Sequence, residues 1–483
     1  MSQLNIEIPE TNRKAHASPG ASLRRGHQRG ITPEGHAPLP SSPPSDSGPG
    51  QTAAGKDRKP LDRKSKIRRA LAVLGPGLVT GASDDDPSGI ATYSQVGAQF
   101  GYGMLWTMVL SYPLMAAIQE ISARVGRVTG CGISANLRRC YPRWLLRFAV
   151  TLVLVANVFN LGADVGAMGA AAQLLLPART WLYIVLFGVA SLLLQILVPY
   201  SSYVKYLKWL TLSLFAYVAT AFFVHLSWYQ VLHATLLPHL AWSKDYLMGL
   251  IAVLGTTISP YLFFWQASQE VEEVKNNRGE EALKRVPRQA PAQLGRIRKD
   301  TYLGMALSNL VAFFIILTTA ATLHAHGQTD VATAAQAAQA LAPLAGRWAA
   351  GLFVCGIIGT GMLAIPVLAG SAAYAIGESF KWPASLKKKP EQAVGFYLTI
   401  GAATLAGVGL NFLHIDPIRA LFWAAVLNGM LAAPLMAVIM HMAASRDVMD
   451  KFTIPLYLRV AGWTATAVMF GVSIGVIATW KSS

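Results

Sequence analysis

Residues 71–99 read LAVLGPGLVTGASDDDPSGIATYSQVGAQ, and the middle of that stretch decides the fold. Apolar sequence runs into Asp84, Asp85 and Asp86, then Pro87, Ser88 and Gly89, and turns apolar again. One ionised carboxylate facing lipid at mid-bilayer costs about 2.5–3.5 kcal/mol on insertion scales. Proline and glycine break the helix there and free backbone carbonyls that lipid cannot satisfy. The segment is stable only if the break lines a wet, protein-walled cavity that holds a cation.

The rest of the chain supports a membrane setting. Hydrophobic residues make up 53% of the 483 and charged residues 13%, too apolar for an ordinary soluble protein. From about residue 71, apolar runs long enough to span a bilayer recur. The expected spans are 71–99, 103–124, 145–175, 181–198, 203–226, 246–274, 300–324, 348–378, 395–412, 417–443 and 455–480, about eleven in all. Residues 1–66 are rich in Pro, Gly and Ser and read as a disordered basic tail, with no apolar signal segment. Residues 67–483 then form the transmembrane domain. The segment 275–299, KNNRGEEALKRVPRQAPAQLGRIRK, reads as a basic cytoplasmic loop, and the Ala-rich segment 325–346 on the other side as a surface helix.

The net charge of +17 suggests nucleic acid only until its distribution is read. With a cytoplasmic N-terminus, all but five of the 41 Lys and Arg lie on the cytoplasmic side; Arg179, Lys244, Arg347, Arg419 and Lys481 remain outside. That asymmetry sets the orientation of a membrane protein, with lipid rather than nucleic acid as partner. Cys131, Cys140 and Cys355 are too scattered for a disulfide framework. No nucleophile–base set or nucleotide loop marks an enzyme, and no cofactor is expected.

A second span is interrupted in the same manner, at Gly255-Thr256-Thr257-Ile258-Ser259-Pro260-Tyr261, five spans after the first. Proline-broken helices at matching places in two halves point to an inverted-repeat transporter with its substrate between the breaks. Five spans per repeat turn the second repeat upside down, leaving span 11 peripheral. The acidic residues at the first break favour a cation.

The stretch GPGLVTGASDDDPSGIATYSQVGAQFGYGMLW, with SARVGRVTG at 122–130, resembles the NRAMP divalent-metal transporters, which carry Asp-Pro-Gly-Asn in the first break. The resemblance extends over about residues 70–480. It implies an all-α membrane protein of LeuT-type 5+5 repeat, helices 1 and 6 unwound, that carries divalent metal. Asp86 and Pro87 fall on the family's Asp-Pro. Ser88 takes the glycine position and Gly89 that of the metal-binding asparagine. Ser259-Pro260-Tyr261 stands where the family has Met-Pro-His, so the thioether that holds Mn²⁺ and Fe²⁺ is replaced by a hydroxyl. Carboxylate, carbonyl, hydroxyl and water suit hard ions, and a roomier site admits one that keeps part of its water shell. The pattern is similar to the NRAMP-related magnesium transporters.

The implied metal site comprises Asp86, Asp85, Gly89, Thr256, Ser259 and Asn428, with Asp84 a ligand or an attractor nearby. Ser259 has a local alternative, bonding back to carbonyls freed by Pro260, and Asn428 has one in a helix–helix hydrogen bond. Tyr261 reads as a gate or packing residue. The family's Asp-Leu-Ala-Glu proton-relay element aligns with Asn160-Leu161-Gly162-Ala163, which cannot titrate. Asp164 lies one residue on, about 100° around the helix. Proton coupling is therefore expected to be weak or absent. Mg²⁺ is the first expectation and Mn²⁺ the second. The alternatives are a proton-coupled Mn²⁺ or Fe²⁺ importer and an amine or amino-acid carrier of the same fold. Glu120 is expected to pair with Arg124, and Glu270, Glu272 and Glu273 to form a solvated face.

Overall fold

The computed structural model describes residues 80, 81, 83–198, 211–277, 279–413 and 415–481. The 1–66 tail, the start of the first span and residues 203–210 of the fifth lie outside the described residues. All the regular structure among the described residues is helical.

The first span is broken at Asp85–Asp86. Residues 80, 81, 83 and 84 are helical, and the chain resumes as α1 (Pro87–Phe100). A turn through Gly101, at φ 57°, leads into α2 (Trp106–Thr129), and the two stretches meet at 109°. The short amphipathic α3 (Ile133–Cys140) follows, then α4 (Arg143–Gln173), α5 (Thr180–Leu197) and α6 (Phe215–Phe223). The second broken span is α7 (Lys244–Thr257) and α8 (Pro260–Asn276). Then come α9 (Ala290–Thr322), α10 (Ala349–Phe380), α11 (Val394–Leu410), α12 (Pro417–Ala444) and α13 (Leu456–Lys481). Among the described residues eight helices, or nine with the bent pair as one span, are long and apolar enough to cross a membrane.

Burial sorts these helices into an inner and an outer set. The most apolar stretch of the broken span 244–276 is entirely enclosed, whereas those of α5 and α13 are mostly open. Trp181, Leu186, Leu193 and Leu197 on α5, and Trp463, Phe470, Ile474 and Ile477 on α13, face outward as a lipid-facing surface should. The inner helices approach closely through glycine. A Cβ on Gly255 of α7 would lie 2.1 Å from the Ala425 carbonyl of α12, and one on Gly97 of α1 2.5 Å from the Ile316 carbonyl of α9. Such small-residue contacts do the packing work in lipid, where apolar side chains gain little by leaving the solvent.

Two expectations need correction. The 275–299 loop is shorter than its polarity suggested, because α9 starts at Ala290. Nor is the glutamate end of α8 a solvated face, since Glu270 and Glu272 are buried. Arg296 of α9 reaches Glu270 at 2.6 Å and Glu273 at 3.0 Å, and buried Arg127 of α2 reaches Glu280 at 2.5 Å and Glu270 at 3.9 Å. Ion pairing makes the burial of Glu270 tolerable, the Ser385 hydroxyl donates to Glu272 at 2.9 Å, and sequence polarity alone does not reveal such partners. Glu120 and Arg124 pair at 2.7 Å, as their i, i+4 spacing implied. The 325–346 segment holds two short helices, at Ala334–Gln339 and Ala342–Ala345.

The glycine contacts give a paired test. Gly255→Ala, which overpacks the α7–α12 contact, should cost about 1–3 kcal/mol. Gly401→Ala in α11, with open space around its Cα, should leave stability unchanged or raised. Thermal unfolding in detergent reads both.

Candidate functional site

The two breaks share a local design. Asp86 caps α1 with Pro87 in its first turn, and Ser259 caps α8 with Pro260 in its first turn. Proline at that position needs no amide hydrogen, and a short polar residue before it suits the extended cap. Each break also ends the preceding half-helix, leaving carbonyls without helical partners.

Asp86 is where the two breaks meet. Its Oδ1 accepts from the Gly89 amide at 2.8 Å and the Ser88 hydroxyl at 2.7 Å. Its Oδ2 accepts from the Asn160 amide of α4 at 2.9 Å and lies 3.2 Å from the Tyr261 hydroxyl of α8. Tyr261 lies equally close, at 3.1 Å, to the Ser83 carbonyl of the first half-helix, so its single hydrogen ties the breaks together. Asn160 Oδ1 in turn accepts from Asn428 of α12 at 3.1 Å, which completes a buried chain Asp86–Asn160–Asn428.

The other expected residues fall close by but in different roles. Gly89 faces α7, and a Cβ there would lie 3.1 Å from Thr256 Oγ1 and 3.5 Å from the Asp84 carbonyl. The Ser259 hydroxyl donates within its own break, lying 2.8 Å from the Thr256 carbonyl and 3.0 Å from that of Gly255. That is the back-bonding geometry expected next to Pro260. Asp85 turns away from Asn160 and Tyr261 toward α9, where Ser308 also meets Asp84.

From the sequence, Tyr261 reads as a gate or packing residue and Asn160 as a residue that cannot titrate; their contacts with Asp86 are seen only in the structure. Both carry a hydrogen-bond donor at a position where the family resemblance implies a functional residue, and that was the available signal. Ser308 had no such signal. Asp164 is fully buried on α4 near Asp86 and the Ser88 amide, and neither carboxylate oxygen has a hydrogen-bond partner of good geometry.

Asp84, Asp85 and Asp86 are only 1%, 7% and 1% exposed, so the break is closed to solvent. Among the described residues none of these three, nor Asp164, forms an ion pair. No three His, Cys, Asp or Glu side chains among the described residues gather as a metal-binding cluster. Beyond the break, a cavity of about 210 Å³ lies between α1 (Gln95, Gln99), α7 (Asp245, Met248) and α12 (Arg419, Phe422). Gln95 fastens the 329–331 segment at its rim, accepting from the Val331 amide at 2.7 Å, and Arg419 meets Asp330 at 3.6 Å.

Two broken helices crossing around a buried acid, within a bundle of membrane-spanning helices, define an integral membrane transporter of LeuT-type architecture. Solved structures agree on the fold. A manganese transporter from Eremococcus coleocola, in complex with an aromatic bis-isothiourea compound, superposes with a TM-score of 0.68 at 16% identity, covering 86% of this chain and 88% of that one. Mhp1, a nucleobase-cation-symport-1 family transporter, gives 0.53 at 13% identity, covering 84% and 93%. The sequence profile of the natural resistance-associated macrophage protein-like family, Nramp, matches residues 77–479, and the chain belongs to that family. Its members are transporters, not enzymes. Among curated relatives, the divalent metal cation transporter MntH of Klebsiella pneumoniae strain 342 is 26% identical over 407 residues, 83% of this chain and 92% of that protein. MntH of Yersinia enterocolitica is 28% identical over 307 residues, 62% and 71% of the two.

Asn160→Ala removes a donor from Asp86 and leaves the Asn428 amide unpaired. The buried loss should destabilise the protein by about 1–3 kcal/mol, read as a lower unfolding temperature in detergent.

Proposed function

We propose that this Nramp chain transports a divalent metal cation by alternating access, that the ion is hard and partly hydrated, with Mg²⁺ first and Mn²⁺ second, and that proton coupling is weak or absent. The observation that carries the reading is the composition of the junction between the breaks. The polar side-chain atoms of Asp84, Asp85, Asp86, Ser88, Asn160, Thr256, Ser259, Tyr261, Ser308 and Asn428 are all oxygen or amide nitrogen. Oxygen ligands favour Mg²⁺, Ca²⁺ and Mn²⁺ over softer metals, and Mg²⁺ retains waters that the protein then holds by hydrogen bonds.

In this reading Asp86 is the anionic ligand. Thr256 offers its carbonyl, and the Ser259 oxygen keeps lone pairs after donating its hydrogen. Gly89 contributes room, and Asn428 orients water through its unpaired buried Oδ1. Asp85 adds negative charge on the α9 side. Asn160 bonds Asp86 directly with an amide that carries no titratable proton, which supports uncoupled transport driven by the membrane potential. The MntH relatives and the Lys/Arg distribution support a bacterial inner membrane with the N-terminus in the cytoplasm. One observation favours a second reading, proton-coupled Mn²⁺ import: the unpartnered Asp164 carboxylate is a buried acid beside Asp86.

Liposomes holding the purified chain distinguish the two. Mg²⁺ and Mn²⁺ should enter without internal acidification, and Asp86→Ala should abolish entry. Mn²⁺ entry with acidification and no Mg²⁺ entry selects the coupled importer. Ser259→Met restores a soft ligand, and the ratio of Mn²⁺ to Mg²⁺ uptake should rise about tenfold, as for one added favourable contact. An unchanged ratio removes residue 259 from the site.

A further inference from the structure

The carboxylates at the first break are unequally provided for. Four donors surround the two oxygens of Asp86. Asp84 and Asp85 share one. The Ser308 hydroxyl lies 2.8 Å from Asp84 Oδ2 and 2.9 Å from Asp85 Oδ1, and its single hydrogen serves one of them at a time. Asp84 Oδ1 is buried with no hydrogen-bond partner.

Two more oxygens face the same place from outside the acidic run. Thr256 Oγ1 of α7 is buried and lacks a hydrogen-bond partner of good geometry, and so does Tyr93 Oη of α1. Both residues are 1% exposed. The Tyr93 and Thr256 hydroxyls lie against each other, with all three aspartates in electrostatic reach of Tyr93, and Gly89 brings Thr256 Oγ1, the Tyr93 ring and the Asp84 backbone carbonyl to one spot. Gly89 allows this close approach, since a Cβ there would press on Thr256 Oγ1 and on the Tyr93 ring. Buried anionic oxygens without donors are costly, and a hard cation supplies what hydrogen-bond donors do not.

The geometry points to a second cation position on the ion path, formed by Asp84, Asp85 and Ser308, faced by the Thr256 and Tyr93 hydroxyls, and separate from the Asp86 carboxylate. Its occupant is a hard divalent cation, because two carboxylates share the site and the polar side-chain atoms of Asp84, Asp85, Ser308, Thr256 and Tyr93 are all oxygen. On arrival of the ion the Ser308 hydroxyl turns its oxygen inward, and its hydrogen is no longer divided between two acids. The Thr256 carbonyl accepts from Ser259, while its hydroxyl lies on the Gly89 and Tyr93 side. The inference deepens the transport reading and rests on it.

Mn²⁺ titration of the purified full-length chain in detergent, read by electron paramagnetic resonance with Mg²⁺ as competitor, tests the position. Asp86→Asn should stop liposome uptake yet still bind one Mn²⁺ per chain, displaced by Mg²⁺. Adding Asp84→Asn should remove that ion, and adding Ser308→Ala should weaken it about tenfold or more. Loss of Mn²⁺ binding in Asp86→Asn alone overturns the position, as expected if a proton shared by Asp84 and Asp85 takes the ion's place. Retention in the Asp84/Asp86 double variant overturns it equally. If Asp86→Asn does not fold, Ser308→Ala and Thr256→Val in the unaltered background carry the test. Each should lower Mn²⁺ affinity, and unchanged affinity in both overturns the position. A wild-type chain that neither binds nor carries Mn²⁺ or Mg²⁺ refutes the transport reading itself, an outcome distinct from those above.

Discussion

Negative charge enclosed at a helix break is the constraint on which the rest of the molecule depends. Three consecutive aspartates sit inside the bundle, and no basic side chain among the described residues pairs with them. Carboxylates in that position persist only if donors are brought to them or a cation neutralises them. The fold brings donors from several directions: Asn160 from α4, Tyr261 from α8 and Ser308 from α9, with Asn428 of α12 holding Asn160 in place. The arrangement of at least four helices thus follows from the needs of one short segment.

The breaks make that arrangement possible because they repeat one solution. A short polar residue in extended conformation followed by proline restarts each helix, Asp86 capping with its side chain and Ser259 by position alone, and the freed carbonyls remain near the restart. At the second break the carbonyls of Gly255 and Thr256 are partly satisfied by Ser259, and at the first the Ser83 carbonyl is approached by Tyr261. The Ser259 hydroxyl thereby steadies the unwound backbone locally.

The two ends of the bundle are held with different strength. Near the cavity, Arg419 and Asp330 are 63% and 65% exposed, and such a pair contributes about 0–1 kcal/mol. At the other end, Arg127 and Glu270 are fully buried; Glu280 joins Arg127 to the segment before α9, and Arg296 joins Glu270 to α9 itself. The Leu283 and Lys284 amides donate to the Arg127 and Val128 carbonyls and pin that segment to α2. Separating a buried network of this kind leaves charges uncompensated and costs far more than parting an exposed pair.

Much of this was open to reading in the chain alone. Composition and run length declared a membrane bundle, and Asp-Pro and Ser-Pro inside apolar runs marked the two breaks, because lipid tolerates neither charge nor unpaired backbone without a reason. Such local signals depend on residues adjacent in the chain. The polarity of 290–299 misled because a helix anchored by Arg296 on Glu270 and Glu273 looks the same in one dimension as a solvated loop. The contacts that Asn160 and Ser308 make with the aspartates were not readable for a related reason: they span 74 and 224 positions of sequence. Only tertiary packing decided that Asp86 is fully served with donors while Asp84 and Asp85 divide a single hydroxyl, since hydrogen-bond satisfaction is a property of which helices meet, and no local pattern encodes the meeting.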